Sequence, residues 1–131
     1  MKQGLIILIF FLTVSYKTDA QMPDSLKYRS VDPEDFLTLI RLKENVLVID
    51  VSLPREFRKE RIEGAVNIPL AKIEKRYRKY LSSQPVILLY CTNGFRSEQA
   101  AIKLYDLGFR EIYSLKGGLW AWKKRGITTV K

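Results

Sequence analysis

Residues 86–97 have the sequence VILLYCTNGFRS, which joins a strand pattern to a cysteine, a glycine-arginine loop and a helix start. Its first five residues form a continuous apolar run, which is typical of a strand buried on both faces of a parallel sheet. Cys91 follows the run, and a short loop with Gly94 and Arg96 leads into a helical pattern. A helix that begins there directs unpaired N–H groups and its positive dipole end at an anion. The stretch therefore predicts sulfur or phosphoryl chemistry at Cys91.

The composition predicts one globular and strongly basic domain. The chain has 131 residues, of which 47% are apolar and 28% charged, and its net charge is +9. Much of the excess lies in residues 55–61, 72–79 and 123–125. Such a surface attracts nucleic acid, anionic lipid or small anionic substrates. Because no zinc-finger or RNA-binding motif accompanies these stretches, we expect no nucleic-acid partner and interpret most of them as solvated faces.

Residues 1–20 have the pattern of a secretory signal peptide. Lys2 gives a positive start, Gly4–Val14 an apolar core and residues 18–20 a cleavage site. The apolar run is shorter than the roughly 20 residues of a membrane span. We therefore expect an exported, periplasmic protein with a linker over residues 21–27 and no membrane contact after cleavage. An uncleaved N-terminal anchor is the alternative.

Export gives the single cysteine of the chain a particular meaning. In an oxidising compartment cysteines usually pair as disulfides, and Cys91 has no second cysteine to pair with. It is an inert buried residue, an intermolecular link or a reactive thiol. Its position between a strand and a Gly-Arg loop favours the reactive thiol. A reactive thiol outside the cytoplasm needs a persulfide state or a thiol-reducing protein partner to protect it.

Strands and helices alternate along the rest of the chain, which predicts an α/β fold with a parallel sheet covered on both faces. Asp32 and Pro33 have the pattern of a helix start. Because ligands bind at the carboxyl ends of parallel strands, we expect Asp50 and Cys91 at one site. The predicted strands cover residues 46–50, 65–68, 86–90 and 111–114, and the predicted helices after the first cover residues 54–59, 70–81, 97–107 and 119–124.

Several blocks, in this order, resemble the single-domain rhodanese family, which is thiosulfate sulfurtransferase-like. They are Asp50-Val51, Glu56-Phe57, IEGAVNIP at 62–69, the loop 91–97 and LKGGLWAW at 115–122. The resemblance runs from about Tyr28 to Val130 and sets the domain at residues 28–131. It implies a three-layer α/β fold around a five-stranded, mainly parallel sheet flanked by helices. It also implies transfer of a sulfane sulfur from thiosulfate or a persulfide donor, through a cysteine persulfide, to cyanide or a thiol.

The resemblance assigns the site residues, and elementary chemistry gives their roles. Cys91 is expected to be the catalytic thiolate, which a helix N-terminus and a nearby cation favour. Arg96 would bind the sulfonate end of thiosulfate through its planar fork, and Gly94 suits a positive φ. Asp50 and Glu56 are expected to support the neighbouring loops. The substrate-binding residues are Thr92, Asn93, Gly94, Phe95, Arg96 and Ser97, whose amides would form a nest for the persulfide.

Further residues are expected to support the site. Ser97 is predicted to cap the helix rather than to act in catalysis. Gly117 and Gly118 are expected to allow close packing beside the loop. Trp120 and Trp122 are expected in the core or in the pocket wall; a stacking role is the weaker interpretation. We expect no cofactor and no metal ion.

The chain departs from the family pattern at two places, and two rival functions remain. The family's arginine after Asp50-Val51 is Ser52 here, with Arg55 as a candidate substitute, and its glycine-histidine pair is Glu60-Arg61. The chain has no histidine, which removes a papain-like hydrolase. Cysteine phosphatase loops on this fold carry one more residue between cysteine and arginine, which favours sulfur transfer. A non-catalytic sulfur-carrier or protein-binding module is the other alternative.

Overall fold

A computed structural model describes residues 21–131, so the predicted signal peptide lies outside the described part of the chain. The strands are β1 (Arg29–Val31), β2 (Val46–Asp50), β3 (Val66–Asn67), β4 (Val86–Tyr90) and β5 (Ile112–Leu115), and the helices are α1 (Pro33–Leu42), α2 (Pro54–Lys59), α3 (Ile73–Arg76), α4 (Arg78–Leu81), α5 (Phe95–Asp106) and α6 (Gly118–Lys124). The strands form one sheet in the order β1-β5-β4-β2-β3, and every pairing is parallel. The five-stranded α/β fold implied by the resemblance is confirmed.

The central strand β4 explains the two layers of helices. All five of its residues are buried, and successive side chains alternate between the faces of the sheet. Ile87 and Leu89 face the helices α3 and α5, whereas Leu88 packs with residues of α1 and α6. Cys91 continues the alternation of Ile87 and Leu89 and belongs to the same hydrophobic cluster. The register of β4 therefore directs the thiol towards α5.

The helix predicted over residues 70–81 is wrong as a single element. The segment forms a 3₁₀ turn at Leu70–Lys72 followed by the short helices α3 and α4. Its apolar residues recur mostly at intervals of three, as in the pairs Leu70/Ile73 and Tyr77/Tyr80, and this spacing suits 3₁₀ turns of three residues. The Tyr80 N–H accordingly donates to the Tyr77 carbonyl at 3.0 Å.

The first strand has no counterpart in the sequence-based prediction, which placed the other four. β1 has three residues, and its first two, Arg29 and Ser30, are polar and exposed. It lies at one edge of the sheet and pairs with β5. A short edge strand needs no apolar run, because one of its sides faces solvent. The pattern that identifies β4 is therefore missing here.

The segment before β1 contacts the domain through one basic side chain. Asp24–Leu26 form a 3₁₀ turn, and Lys27 lies 2.9 Å from carboxylate oxygens of both Asp24 and Asp106. Asp106 is the last residue of α5, so this contact joins the predicted linker to the helix that follows the cysteine loop.

Among residues 21–131, no helix is both long and apolar enough to cross a bilayer.

Candidate active site

The cysteine sulfur lies beneath the loop that follows β4. Cys91 is fully buried, and its Sγ accepts a hydrogen bond of 3.1 Å from the Gly94 N–H. The Asn93 Oδ1 and Ser97 Oγ atoms lie 3.9 Å and 3.8 Å from the same sulfur. The first N–H groups of α5 have no acceptor within the helix. One backbone donor and two polar side chains therefore lie around the thiol at the positive end of α5.

Glycines hold the loop in this shape. Gly94 has φ of +96°, which confirms the positive φ expected there. Gly118 has φ of +61°, and a Cβ at this position would lie 2.4 Å from the Cys91 carbonyl oxygen and 2.7 Å from the Asn93 and Gly94 nitrogens. The close packing predicted for this glycine is thus confirmed. At position 118, no residue with a Cβ fits against the loop without displacing it.

The helix α6 binds the outer side of the same loop. The Leu119 N–H donates to the Cys91 carbonyl at 2.8 Å, and the Trp120 N–H donates to the Thr92 carbonyl at 3.0 Å. These carbonyls therefore point to α6 and away from the sulfur. The N-terminal end of a second helix thus satisfies these two loop acceptors. Of the loop N–H groups, that of Gly94 faces the sulfur, whereas that of Phe95 donates to Asn93 Oδ1.

Ser97 does not cap α5, and that prediction is wrong. The helix begins two residues earlier, at Phe95, and the preceding residue is Gly94. Ser97 is fully buried; its hydroxyl donates to the Gly94 carbonyl at 3.0 Å and shares a hydrogen bond of 2.8 Å with Ser114 Oγ. Its side chain therefore fixes the loop from inside. Sequence reasoning missed Ser114, for which the only signal is a serine inside the apolar strand β5.

Arg96 and Glu56 form a bidentate ion pair that joins α2 to the cysteine loop. The two terminal nitrogens of Arg96 lie 2.8 Å and 3.0 Å from the Glu56 carboxylate, which also accepts from the Thr92 hydroxyl at 3.1 Å and the Leu53 N–H at 2.8 Å. Arg96 lowers the pKa of Glu56 to about 2, with help from the Leu53 and Thr92 donors. The hydrogen bonds and charge of Glu56 in turn raise the pKa of Arg96.

Asp50 supports the carboxyl end of β2 from a buried position. One carboxylate oxygen accepts from the Ser52 N–H at 2.8 Å, and the backbone carbonyl of Asp50 accepts from the Asn67 side chain. Burial raises the pKa of Asp50, while hydrogen bonds from Ser52 and Tyr90 oppose the shift. The Tyr90 hydroxyl accepts from the Ile62 N–H at 3.0 Å. Asp50 thus lies where the sequence predicted, among loops that hydrogen bonds hold together.

An open cleft of about 290 Å³ lies beside the loop. Its wall includes Trp120, which is 66% exposed, whereas Trp122 is buried and packs edge-on against Phe36 at 6.1 Å. The two tryptophans therefore take the two places expected of them, one in the pocket wall and one in the core. Its other lining residues are Asp50, Ser52, Glu56, Lys59, Glu60, Thr92, Leu119 and Lys123.

Each of the other site residues has a definite position. Phe95 is 68% exposed at the start of α5, and Asn93 is exposed at the loop surface, where its Oδ1 accepts from the Phe95 N–H. Ser52 is buried and Arg55 is exposed.

Within residues 21–131, no group of three or more His, Cys, Asp or Glu side chains is placed to hold a metal ion.

This combination defines a class of protein: a parallel α/β domain with a cysteine loop between the central strand and a helix. Comparison with known families names the class further. Residues 32–125 match the model of the rhodanese-like domain, and the chain belongs to this family.

Individual relatives agree with this assignment. The chain is 34% identical over 122 residues to the uncharacterized protein YqhL of Bacillus subtilis, covering 93% of this chain and 94% of the relative. It is 31% identical over 98 residues to the thiosulfate sulfurtransferase GlpE of Coxiella burnetii, covering 75% and 90%. The crystal structure of a rhodanese-related protein from Thermoplasma volcanium superposes with a TM-score of 0.69 at 29% identity, covering 79% and 98%.

Proposed function

We propose that the protein is a thiosulfate sulfurtransferase-type enzyme that carries sulfur as a Cys91 persulfide. The observation that supports this best is the Gly94 N–H, which lies 3.1 Å from Sγ in a loop built around the sulfur. A donor at this distance stabilises a thiolate or a persulfide anion. The name of the Coxiella burnetii relative also supports a sulfurtransferase.

The first half of the reaction loads the cysteine. The Cys91 thiolate attacks the outer, sulfane sulfur of thiosulfate and forms a new S–S bond. The S–S bond within thiosulfate breaks, and sulfite leaves with its electron pair. An organic persulfide reacts in the same way and releases its thiolate. The N–H groups at the start of α5 hold the charge that results on the terminal sulfur.

The second half of the reaction empties the cysteine. A thiolate or cyanide ion attacks the terminal sulfur of the persulfide and carries it away as a new persulfide or as thiocyanate. The S–S bond to Sγ breaks, and Cys91 returns as a thiolate. No base is needed in either half, which fits a chain without histidine.

Arg96 serves this chemistry by fixing the position of the loop. Its terminal nitrogens are engaged by Glu56, so we propose that it holds the loop in shape rather than gripping the anionic donor. Thr92, Asn93 and Phe95 line the outer side of the loop, where we propose that they contact the acceptor.

Mass spectrometry of intact residues 21–131 after treatment with thiosulfate tests this proposal. We expect the gain of one sulfur atom, its loss on adding cyanide, and no gain in Cys91→Ser. Because Cys91 is the only cysteine, any persulfide is located without further mapping. If neither thiosulfate nor an organic persulfide adds sulfur, the enzyme proposal fails, the sulfur-carrier alternative fails with it, and the protein-binding module takes their place.

Hydrolysis of a phosphate ester tests the rival loop chemistry. Only four residues separate Cys91 from Arg96, so the loop is one residue shorter than in cysteine phosphatases. We expect no turnover of a phosphate monoester above the level of Cys91→Ser. Robust turnover would reverse the choice between sulfur and phosphate.

We also propose that the protein acts outside the cytoplasm, in the periplasm, after removal of residues 1–20. The support is the sequence pattern of this segment, with the apolar run at Gly4–Val14. The amino-terminal sequence of the protein recovered from a fractionated cell tests this. A mature protein beginning near residue 21 supports export with cleavage, and an intact amino terminus in the membrane fraction supports the anchored alternative.

A further inference from the structure

A second cleft, away from the cysteine loop, is lined by basic residues. It lies between the edge strand β3 and the helices α3 and α4, and its volume is about 410 Å³. Lys75, Arg76 and Lys79 line it, together with Tyr80 and the segment Val66–Ile68. It shares no lining residue with the cleft beside the cysteine loop. We call it the basic cleft.

Positive charge at the basic cleft is not neutralised by nearby carboxylates. Lys75, Arg76 and Lys79 are exposed, and within residues 21–131 no salt bridge engages any of them. The one acidic residue of the segment, Glu74, is bound to Lys103 of α5. The uncompensated charge favours an anionic occupant.

The cations extend beyond the cleft and lie over tyrosine rings. Lys72 and Arg78 are also exposed, so five cations occupy residues 72–79. The Arg78 guanidinium is 5.9 Å from the centre of the Tyr77 ring, and the Lys79 ammonium is 5.4 Å from that of Tyr80. Both rings are half-buried against the core beneath α5. Such rings are not free to stack with the bases of a single-stranded nucleic acid.

We propose that the surface formed by residues 72–80 docks on an anionic phospholipid bilayer, with a lipid phosphate in the basic cleft. A single small anion would engage only the three cations of the cleft, whereas a bilayer presents repeated phosphates to all five. Clusters of this size are typical of peripheral binding to anionic lipid. The proposal departs from the sequence-based expectation of no membrane contact, and it does not depend on sulfur transfer.

Vesicle co-sedimentation of residues 21–131 tests the proposal. This part of the chain contains the whole sheet and both hydrophobic clusters, and it lacks the apolar segment that could itself insert into lipid. We expect binding to vesicles that contain phosphatidylglycerol, no binding to pure phosphatidylcholine, and weaker binding as salt is raised. Millimolar inorganic phosphate should not release the protein from the vesicles.

Two variants of equal net charge locate the surface. Lys75→Glu with Lys79→Glu should weaken vesicle binding by roughly 25-fold or more, given the contribution of each cation near an anionic surface. Arg41→Glu with Lys124→Glu changes two exposed cations on α1 and α6, across the sheet from α3, and should bind within about threefold of the parent protein. Both variants should still form the Cys91 persulfide if the parent does.

Three results would overturn the proposal. One is the absence of binding to anionic vesicles at low salt. The second is equal weakening in both variants, which would mean that net charge alone drives binding. The third is release by inorganic phosphate, or tight binding to duplex DNA without vesicle binding, because the occupant would then be a free anion or a nucleic acid. Circular dichroism of both variants shows that a loss of binding is not a loss of fold.

Discussion

Replacing Glu56 with glutamine tests whether the ion pair with Arg96 holds α2 against the cysteine loop. The pKa of Glu56 falls from 4.5 to about 2, and each unit corresponds to about 1.4 kcal/mol. This sets an upper limit of roughly 3 kcal/mol. The side chains of Glu56 and Arg96 are 33% and 29% exposed, so solvent screens the pair. We expect Glu56→Gln to lower the free energy of unfolding by about 1–2 kcal/mol.

A double-mutant cycle separates the pair from its surroundings. Glutamine at position 56 can still accept hydrogen bonds from the Leu53 N–H and the Thr92 hydroxyl, so the variant removes mainly the charge. Urea denaturation of the parent, Glu56→Gln, Arg96→Gln and the double variant gives the coupling energy, which we expect at about 1 kcal/mol. A coupling below about 0.3 kcal/mol would refute the idea that the pair, and not its neutral hydrogen bonds, joins the two elements.

The pH dependence gives an independent check on the same pair. Because the folded-state pKa of Glu56 lies below its ordinary value, its stabilisation is complete above pH 4.5 and is lost as the pH falls towards 2. The difference in unfolding free energy between the parent and Glu56→Gln should therefore be constant from pH 5 to pH 7 and shrink in acid. A difference that is the same at pH 3 and at pH 7 would contradict the assignment.

The other predictions concern packing. Gly118→Ala should destabilise the protein by more than about 2 kcal/mol, since its Cβ would meet the Cys91 carbonyl, and should slow persulfide formation. Gly126→Ala is the matched control: its φ is +73° and its Cβ would meet open space, so only the backbone cost of about 1 kcal/mol is expected in thermal unfolding. Trp122→Ala should cost about 3–5 kcal/mol, whereas the exposed Trp120→Ala should stay within about 0.5 kcal/mol. Equal effects of the two tryptophans in urea denaturation would contradict the burial.

The sequence predicts best those elements that have a continuous apolar run or a clear start signal. The strands β2 and β4 and the helix α2 have the predicted bounds, because continuous apolar runs and a proline at the helix start leave few alternatives. The prediction of one helix over residues 70–81 is wrong because the segment is short. Over so few residues, the apolar spacing of a 3₁₀ helix, which is three, can hardly be told from that of an α-helix, which is three to four. The edge strand β1 was not predicted because it has no continuous apolar run. A strand at the edge of a sheet faces solvent on one side and needs no such run.

The candidate site was predictable where chemistry depends on main-chain geometry. Cys91, Gly94 and Gly118 stand out because a backbone that closes tightly around a thiol at a strand end requires glycine at its points of closest approach. The contacts of Ser97 were not predictable. A serine near a helix start suggests a cap, and only the three-dimensional position of Ser114 shows that its hydroxyl turns inward.

The Glu60-Arg61 pair, which departs from the family pattern, has structural partners away from the sulfur. Arg61 pairs with Val130 through two backbone hydrogen bonds of 2.9 Å, and Glu60 accepts from the Thr129 hydroxyl and from Lys123. The residues in place of glycine-histidine therefore bind the carboxyl-terminal segment, and Glu60 also lines the cleft beside the loop. None of the hydrogen bonds to Cys91 Sγ involves them. Since the groups around the sulfur come from the loop itself and from α5, substitutions at positions 60 and 61 leave the hydrogen-bond partners of the thiol in place.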